Sequence, residues 1–87
     1  MRFQTFEWDQ VNIAHVAEHH VTTEETEEAC YNKPLVFRSR LGRYYVLGRT
    51  DNGRYLTVIV SLKNKDTVRV ITARDMSEAE RRRFYRR

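Results

Sequence analysis

The second part of the chain is dominated by four strand-like segments that follow one another with only short turns between them. Their apolar and polar residues predict strands over residues 35–39, 43–50, 54–62 and 67–73. The turn formed by Asp51, Asn52 and Gly53 is a strong hairpin signal, because Asn and Gly tolerate a positive φ. Consecutive hairpins imply an antiparallel meander, with the helices segregated to one face of the sheet.

A first helix is predicted upstream of these strands. Asp9 is a suitable N-cap, and the helix should reach about His19. Ile13, Val16 and Ala17 fall on one side and are expected to face the core. A neighbouring stripe holds Asn12, His15 and His19.

Two capping boxes mark the starts of two more helices. In Thr22-Thr23-Glu24-Glu25 and in Ser77-Glu78-Ala79-Glu80, the first hydroxyl can accept from the fourth amide, while the fourth carboxylate reaches back. The first of these helices ends near Tyr31, because Pro34 disfavours helical geometry in the residue before it. With a short strand over residues 3–8, the order becomes β-α-α-β-β-β-β-α in one α+β domain covering residues 1–87.

Charge is distributed unevenly along the chain. Residues 1–34 carry a net charge of −5 and residues 35–87 a net charge of +9, within a total of +4. The basic part suggests a polyanion or an acidic partner, although a solvated arginine-rich surface fits equally well. Cys30 is the single cysteine, which excludes an internal disulfide and favours the cytoplasm. The sequence shows neither a signal peptide nor a stretch of membrane-spanning length.

Three stretches of the sequence together resemble the BrnT family of type II toxin–antitoxin systems. The similarity runs in order through nearly the whole chain, and the combination carries it rather than any one motif. The stretches are Phe6-Glu7-Trp8-Asp9 with Asn12, His15, His19 and Val21; Leu47-Gly48-Arg49-Thr50 with Gly53-Arg54-Tyr55; and residues 68–76 followed by Glu80, Arg81 and Tyr85. The first helix is similar to the branch that spaces an asparagine and two histidines as Asn12, His15 and His19.

The resemblance has consequences for both fold and function. It implies a RelE-like fold, in which a small antiparallel sheet packs with helices. It implies a ribonuclease toxin that cleaves RNA and arrests translation, and a co-encoded antitoxin protein as partner. We expect no cofactor and no metal, because His15 and His19 provide only two ligands at a helical spacing.

RNA can be cut without a metal when the 2′-hydroxyl attacks the adjacent phosphate. The enzyme must then move protons between oxygens and stabilise negative charge on the phosphoryl group. Histidine suits the proton steps, because its ordinary pKa of about 6.5 lies near physiological pH. We therefore predict that His19 is the catalytic acid or base. The alternative is a histidine that caps the helix or supports the sheet.

Arginine suits the charge-stabilising step, because it stays protonated and donates in a bidentate fork. We predict that Arg49, Arg69 and Arg74 line a phosphate site. Strand alternation places Arg69 on the same face as Ile71 and Ala73. The alternative is that these arginines form ion pairs with the carboxylates of Glu7, Asp9, Asp75 or Glu80.

The terminal helix and the second hairpin supply the predicted RNA-binding residues. Basic stripes that include an aromatic residue can track phosphates and stack on bases. The predicted set is Arg54, Arg81, Arg82, Tyr85 and Arg86. Two alternatives stay open: a nucleic-acid-binding module without catalysis, and a protein-interaction module whose arginine helix receives an acidic antitoxin segment.

Overall fold

The computed structural model describes residues 5–87. Within them it holds five strands and three helices, in the predicted order. The elements are β1 (Thr5–Glu7), α1 (Gln10–Glu18), α2 (Thr23–Tyr31), β2 (Leu35–Arg38), β3 (Arg43–Arg49), β4 (Tyr55–Leu62), β5 (Thr67–Asp75) and α3 (Glu78–Tyr85). The predicted first strand began at residue 3, and its first two residues lie outside the described part.

The strands form one sheet in the order β1-β5-β4-β3-β2. The predicted antiparallel meander of β2 to β5 is confirmed, and Arg49 pairs with Tyr55 across the β3–β4 hairpin. β1 joins the far edge in parallel to β5, with Thr5 opposite Thr67. This parallel pair joins strands that are far apart in the sequence, so the local sequence pattern carried no sign of it.

A β-bulge interrupts the register between β4 and β5 and leaves Ile71 as an extra residue on β5. Side-chain alternation is reversed beyond this point, so Ala73 and Val70 are both buried in the same core. The prediction that Ala73 shares a face with Arg69 is therefore wrong. Arg69 instead shares its face with Arg74.

The main core lies between one face of the sheet and the helices α1 and α2. We term this side of the sheet the core face and the opposite side the outer face. The core cluster comprises Val16, Val21, Ala29, Cys30, Val46, Leu56, Val58, Val60, Val68, Val70 and Ala73. Burial in it raises the pKa of the Cys30 thiol to about 12.

Close contact between α2 and β3 depends on one glycine. A Cβ added at Gly48 would overlap the carbonyl oxygen of Ala29, which is itself fully buried. The backbone of α2 therefore lies directly on β3, and any larger residue at Gly48 must push the helix away from the sheet.

The inward face of α1 differs from the prediction. Asn12 and Val16 are buried, whereas Ile13 is 44% exposed and Ala17 is also exposed. The assignment of Ile13 and Ala17 to the core is wrong, because a polar residue, Asn12, occupies that position. Its side chain bonds to backbone groups of β1 and β5, which is why the sheet accepts it.

The last helix packs on the outer face. The hydroxyl of Thr57 donates to the carboxylate of Glu80 at 2.9 Å. Thr57 neighbours Val58, which belongs to the core, so Thr57 points to the outer face. The prediction that all helices lie on one face holds for α1 and α2 and is wrong for α3.

The capping predictions are confirmed at both later helices. The Thr22 hydroxyl accepts from the amide of Glu25, and the Glu25 carboxylate accepts from the amide of Thr22. The same reciprocal pair forms between Ser77 and Glu80. These boxes fix where α2 and α3 begin, and hence where the ends of both helices meet the sheet.

Candidate active site

A cleft of about 400 Å³ opens where the ends of α2 and α3 meet the β3–β4 hairpin. Each of these elements contributes residues from its end, so the cleft depends on how the helices are capped and packed. We term it the tyrosine cleft. Its lining residues are Asn32, Lys33, Arg49, Tyr55, Phe84, Tyr85 and Arg87.

Two tyrosines form the centre of this cleft. Tyr55 begins β4, Tyr85 ends α3, and their hydroxyl oxygens lie 2.5 Å apart. The guanidinium carbon of Arg81 lies 4.1 Å from the centroid of the Tyr55 ring, and that of Arg49 lies 4.8 Å from the same centroid. Arg49 also donates from Nε to the carbonyl oxygen of Gly53 at 3.3 Å, and Arg81 bonds to the two tyrosines. Stacking leaves the remaining N–H groups at the edges of each guanidinium available to an anion.

The hydroxyl of Tyr85 is easier to deprotonate than that of a free tyrosine. Its hydrogen bonds with Tyr55 and with Arg81 favour the phenolate and hold the pKa of Tyr85 below its ordinary value. The positive charges of Arg81 and Arg49 act in the same direction. The cleft therefore combines a group that can accept a proton with two cations that can stabilise a phosphate.

The basic side chains divide into two groups by their partners. Within residues 5–87, Arg54, Lys63, Arg69, Arg74 and Arg82 each have a carboxylate oxygen within 4.0 Å. Over the same residues, the cations around the tyrosine cleft have none; they are Lys33, Arg49, Arg81 and Arg87. Within the described residues, the positive charge at the cleft is thus not compensated by direct ion pairs, which favours a polyanion there.

His19 lies on the other side of the sheet from α3. It is the C-cap of α1 and is exposed, and α1 packs on the core face. Its carbonyl oxygen accepts from the guanidinium of Arg54 at 3.1 Å. Since the tyrosine cleft is built with α3, the structure does not bring His19 together with Arg49. A catalytic role for His19 stays a prediction.

Arg54 ties the turn after α1 to the rest of the fold. Its guanidinium donates to the carbonyl oxygen of His20 at 2.6 Å and to the carboxylate of Asp75 at 2.8 Å. It also lies 3.3 Å from the carboxylate of Glu25. These acceptors come from three parts of the chain, so the hydrogen bonds of Arg54 hold those parts together. Its predicted contact with RNA is not tested by them.

Arg69 lies at the opposite end of α1 from His19. Its guanidinium donates to the carboxylates of Asp9 at 2.7 Å and Glu7 at 3.1 Å. The hydrogen bond from Arg69 is the main reason that the pKa of Asp9 falls to about 2. An α-helix rises 1.5 Å per residue, so Asp9 and His19 are about 15 Å apart. These contacts match the ion-pairing alternative, and a phosphate role for Arg69 stays a prediction.

Arg74 anchors α3 to the sheet. It donates two hydrogen bonds to the carboxylate of Glu80, at 2.8 and 2.9 Å. Glu80 also accepts from the Thr57 hydroxyl and from the amide of Ser77. This bidentate pair again matches the ion-pairing alternative. A phosphate role for Arg74 stays a prediction.

The anchor at Glu80 should make stability depend on pH. The hydrogen bonds from Arg74 lower the pKa of Glu80 from 4.5 to about 2. Because the folded-state pKa is the lower one, the stabilisation is complete above pH 4.5 and is lost as the pH falls toward 2. At pH 6 we expect Glu80→Gln to lower the free energy of unfolding by up to about 3 kcal/mol.

The measurement is urea unfolding of both proteins between pH 2 and pH 7. The difference in unfolding free energy between the wild type and Glu80→Gln should shrink steadily below pH 4.5. A difference of equal size at pH 2.5 and at pH 6 would show that the charge of Glu80 contributes nothing.

The predicted residues of the terminal helix fall in different places. Arg81 and Tyr85 take part in the centre of the tyrosine cleft. Arg82 lies 3.9 Å from the carboxylate of Glu78 on the same helix. Arg86 lines a second cavity beside the first. The structure thus brings together Arg49, Arg81 and Tyr85 from the predicted set.

Several residues of the cleft were missed by the sequence analysis. The sequence analysis named Tyr55 only within the family resemblance and gave Lys33 no role at the site, whereas Arg87 was included only as part of the basic terminal helix. The hairpin register contained a usable signal for Tyr55, because a short turn places it directly opposite Arg49. Lys33 had no such signal, since only the tertiary fold places it in the same cleft as Tyr85.

Two further properties concern metals and membranes. Within residues 5–87, no cluster of three or more His, Cys, Asp or Glu side chains could hold a metal ion. Across the same part of the chain, no helix combines the length and the apolar character needed to span a bilayer.

Comparison with known proteins identifies the relatives of this chain. A family model described as the ribonuclease toxin BrnT of type II toxin–antitoxin systems matches residues 8–80. The crystal structure of the Brucella abortus ribonuclease toxin BrnT superposes with a TM-score of 0.66 at 16% identity. The superposition covers 90% of this chain and all of that one, so the two share a fold. No curated protein matches the sequence.

Proposed function

The chain belongs to the BrnT family of ribonuclease toxins of type II toxin–antitoxin systems, and we propose that it cuts RNA in the tyrosine cleft. The observation that carries this proposal is the pair of hydroxyls, 2.5 Å apart, next to two arginines that stack on the Tyr55 ring. Within residues 5–87, neither arginine has a carboxylate partner. No catalytic role for this pair follows from family membership alone.

The tyrosine pair can supply both proton transfers of the reaction. Tyr85, as the phenolate, takes the proton from the 2′-hydroxyl, and the 2′-oxygen forms a bond to the adjacent phosphorus. The bond from phosphorus to the 5′-oxygen breaks, and that oxygen receives the proton of the Tyr55 hydroxyl. The products are a 2′,3′-cyclic phosphate and a 5′-hydroxyl. Transfer of a proton from Tyr85 to Tyr55 through their hydrogen bond then restores the starting state.

Arg49 and Arg81 supply the electrostatic part. Negative charge builds up on the phosphoryl oxygens as the 2′-oxygen attacks, and fixed cations stabilise that charge more than they stabilise the ground state. Both guanidiniums are held by stacking on Tyr55. Within residues 5–87, neither has a carboxylate partner to leave before it meets the phosphate, unlike Arg69 and Arg74, which are bound to acidic side chains.

Family membership implies an RNA target and an antitoxin partner. We propose that cleavage takes place in the cytoplasm and arrests translation there. We also propose that the antitoxin inhibits by covering the uncompensated positive charge of the tyrosine cleft, using acidic residues.

The proposal is tested by replacing the two arginines together. Purified wild-type protein should cut single-stranded RNA and leave 2′,3′-cyclic phosphate ends. Arg49→Gln with Arg81→Gln should lower the cleavage rate by at least about 100-fold, the effect of losing one transition-state donor. Binding of the RNA should weaken much less, because the phosphoryl group carries more negative charge in the transition state than in the bound ground state.

A matched control removes the same charge elsewhere. Arg40 and Lys65 are exposed in turns at the other end of the sheet, and Arg40→Gln with Lys65→Gln should leave the rate nearly unchanged. An unchanged rate in the Arg49 and Arg81 variant would contradict the proposal. The same assay tests the catalytic residues predicted from the sequence, with the variants His19→Ala, Arg69→Gln and Arg74→Gln. If only these variants lose cleavage activity, the active site lies at those residues and not in the tyrosine cleft.

A further inference from the structure

A second cavity, of about 510 Å³, adjoins the tyrosine cleft. It is lined by Leu35, Arg83, Arg86 and Arg87, and we term it the arginine cleft. Arg87 lines both cavities, so the two clefts are neighbours that share this side chain. The proton transfers proposed above use no residue that lines only the arginine cleft.

Within residues 5–87, the cations of the arginine cleft lack acidic partners. In the part of the chain that the structure describes, none of the three arginines has a carboxylate oxygen within 4.0 Å. Arg83 stacks on the ring of Phe37 with its guanidinium carbon 3.8 Å from the centroid, and Arg87 stacks on Phe84 at 3.7 Å. Arg86 bonds weakly to the carbonyl oxygen of Arg82. In the described part of the chain, these contacts hold the guanidiniums in place without neutralising their charge.

An aromatic surface continues from this cleft across the sheet. Phe37 and Tyr45 form a cross-strand pair on β2 and β3, with ring centroids 5.4 Å apart and planes inclined by 29°. Tyr45 neighbours the core residue Val46, so the pair lies on the outer face, where both rings are half-buried. Since Arg83 stacks on Phe37, cation and aromatic pair form one continuous surface.

We infer that the arginine cleft and the Phe37–Tyr45 pair form a subsite for the nucleotides that flank the scissile one. Arg83 and Arg86 bind a phosphate, and the aromatic pair stacks with a base. A base can reach such a surface only when it is unpaired, so the substrate is single-stranded RNA. This inference rests on the proposed function, because the flanking nucleotides are defined relative to a scissile bond in the tyrosine cleft.

The test compares a dinucleotide with an octanucleotide, both fully 2′-O-methylated so that neither can be cut. Binding is measured by fluorescence anisotropy over a range of salt concentrations. Arg83→Gln with Arg86→Gln should weaken octanucleotide binding about tenfold and reduce the salt slope by about 0.7, the value for one phosphate contact on a single strand. Dinucleotide binding should change less than twofold.

The control is again the double variant Arg40→Gln with Lys65→Gln, which removes two positive charges at the far end of the sheet. Equal losses in both double variants would show that only net charge matters and would overturn the subsite. Loss of dinucleotide binding would also overturn it, since the arginines would then belong to the cleavage site. Phe37→Leu, which keeps every charge, should weaken the octanucleotide alone.

Two other results distinguish this inference from binding of an acidic protein segment and from the proposed function itself. Unchanged RNA affinity with weakened binding of a poly-glutamate peptide would overturn it in favour of an acidic protein segment. The Arg49 and Arg81 variant could keep full cleavage while the arginine-cleft variant loses only octanucleotide affinity. That result would support the subsite and contradict the proposed catalytic role of Arg49 and Arg81.

Discussion

Replacing Tyr85 with phenylalanine should lower the rate of RNA cleavage by roughly 10²–10⁴-fold, the usual contribution of a general acid or base. The substitution removes the hydroxyl that bonds to Tyr55 and leaves the ring packed against Phe84. Because Tyr85 is 61% exposed, loss of its hydroxyl should hardly affect folding. The measurement is the single-turnover cleavage rate at saturating protein.

The pH dependence gives this prediction a second readout. The pKa of Tyr85 lies below its ordinary value because of Tyr55 and Arg81, and the proposed mechanism uses the phenolate as the base. The wild-type rate should therefore rise with pH, and Tyr85→Phe should lose that rise. Tyr31→Phe is the matched control, since Tyr31 also ends a helix and is 55% exposed. Equal rates in the wild type and Tyr85→Phe would exclude Tyr85 as the base.

Asn12→Ala should lower the free energy of unfolding by about 3 kcal/mol, a large part of the stability of a small domain. The Asn12 amide donates to the carbonyl oxygens of Glu7 at 2.8 Å and Val70 at 2.9 Å. Its own oxygen accepts from the amide of Asp9 at 2.8 Å. The side chain thus joins β1, α1 and β5, and alanine would leave buried polar groups without partners.

Chemical denaturation followed by circular dichroism measures this effect. Gln10→Ala on the exposed side of the same helix should cost less than about 0.5 kcal/mol. Asn12→Asp should be at least as harmful as alanine, because a carboxylate would face the two carbonyl oxygens. Equal stability of Asn12→Ala and Gln10→Ala would contradict the account of α1.

Local signals in the sequence predicted most of the fold. The capping boxes at Thr22 and Ser77 and the turn at Gly53 act within a few residues, and each formed as expected. The parallel pairing of β1 with β5 depends on residues about 62 positions apart, such as Thr5 and Thr67, and left no local trace. The bulge at Ile71 reversed the faces of β5, which a strict period of two cannot foresee.

The candidate site was predictable only in part. Arg49 and Tyr85 could be named because a basic strand end and a basic helix with an aromatic residue are visible in the sequence. Whether an arginine is free or paired depends on distant carboxylates, and Arg69 meets Asp9 across 60 positions. We predicted His19 because histidine suits proton transfer near neutral pH. The two tyrosines are brought together only by the packing of α3, which the sequence pattern does not show.

The most direct test of where RNA binds is a nuclear magnetic resonance titration of the isotopically labelled protein with the uncleavable octanucleotide. Binding in the tyrosine cleft predicts that the amide shifts change most at Lys33, Arg49, Tyr55 and Tyr85. Shifts that cluster instead around His19 and Arg69, with none at the β3–β4 hairpin or α3, would contradict the proposed site.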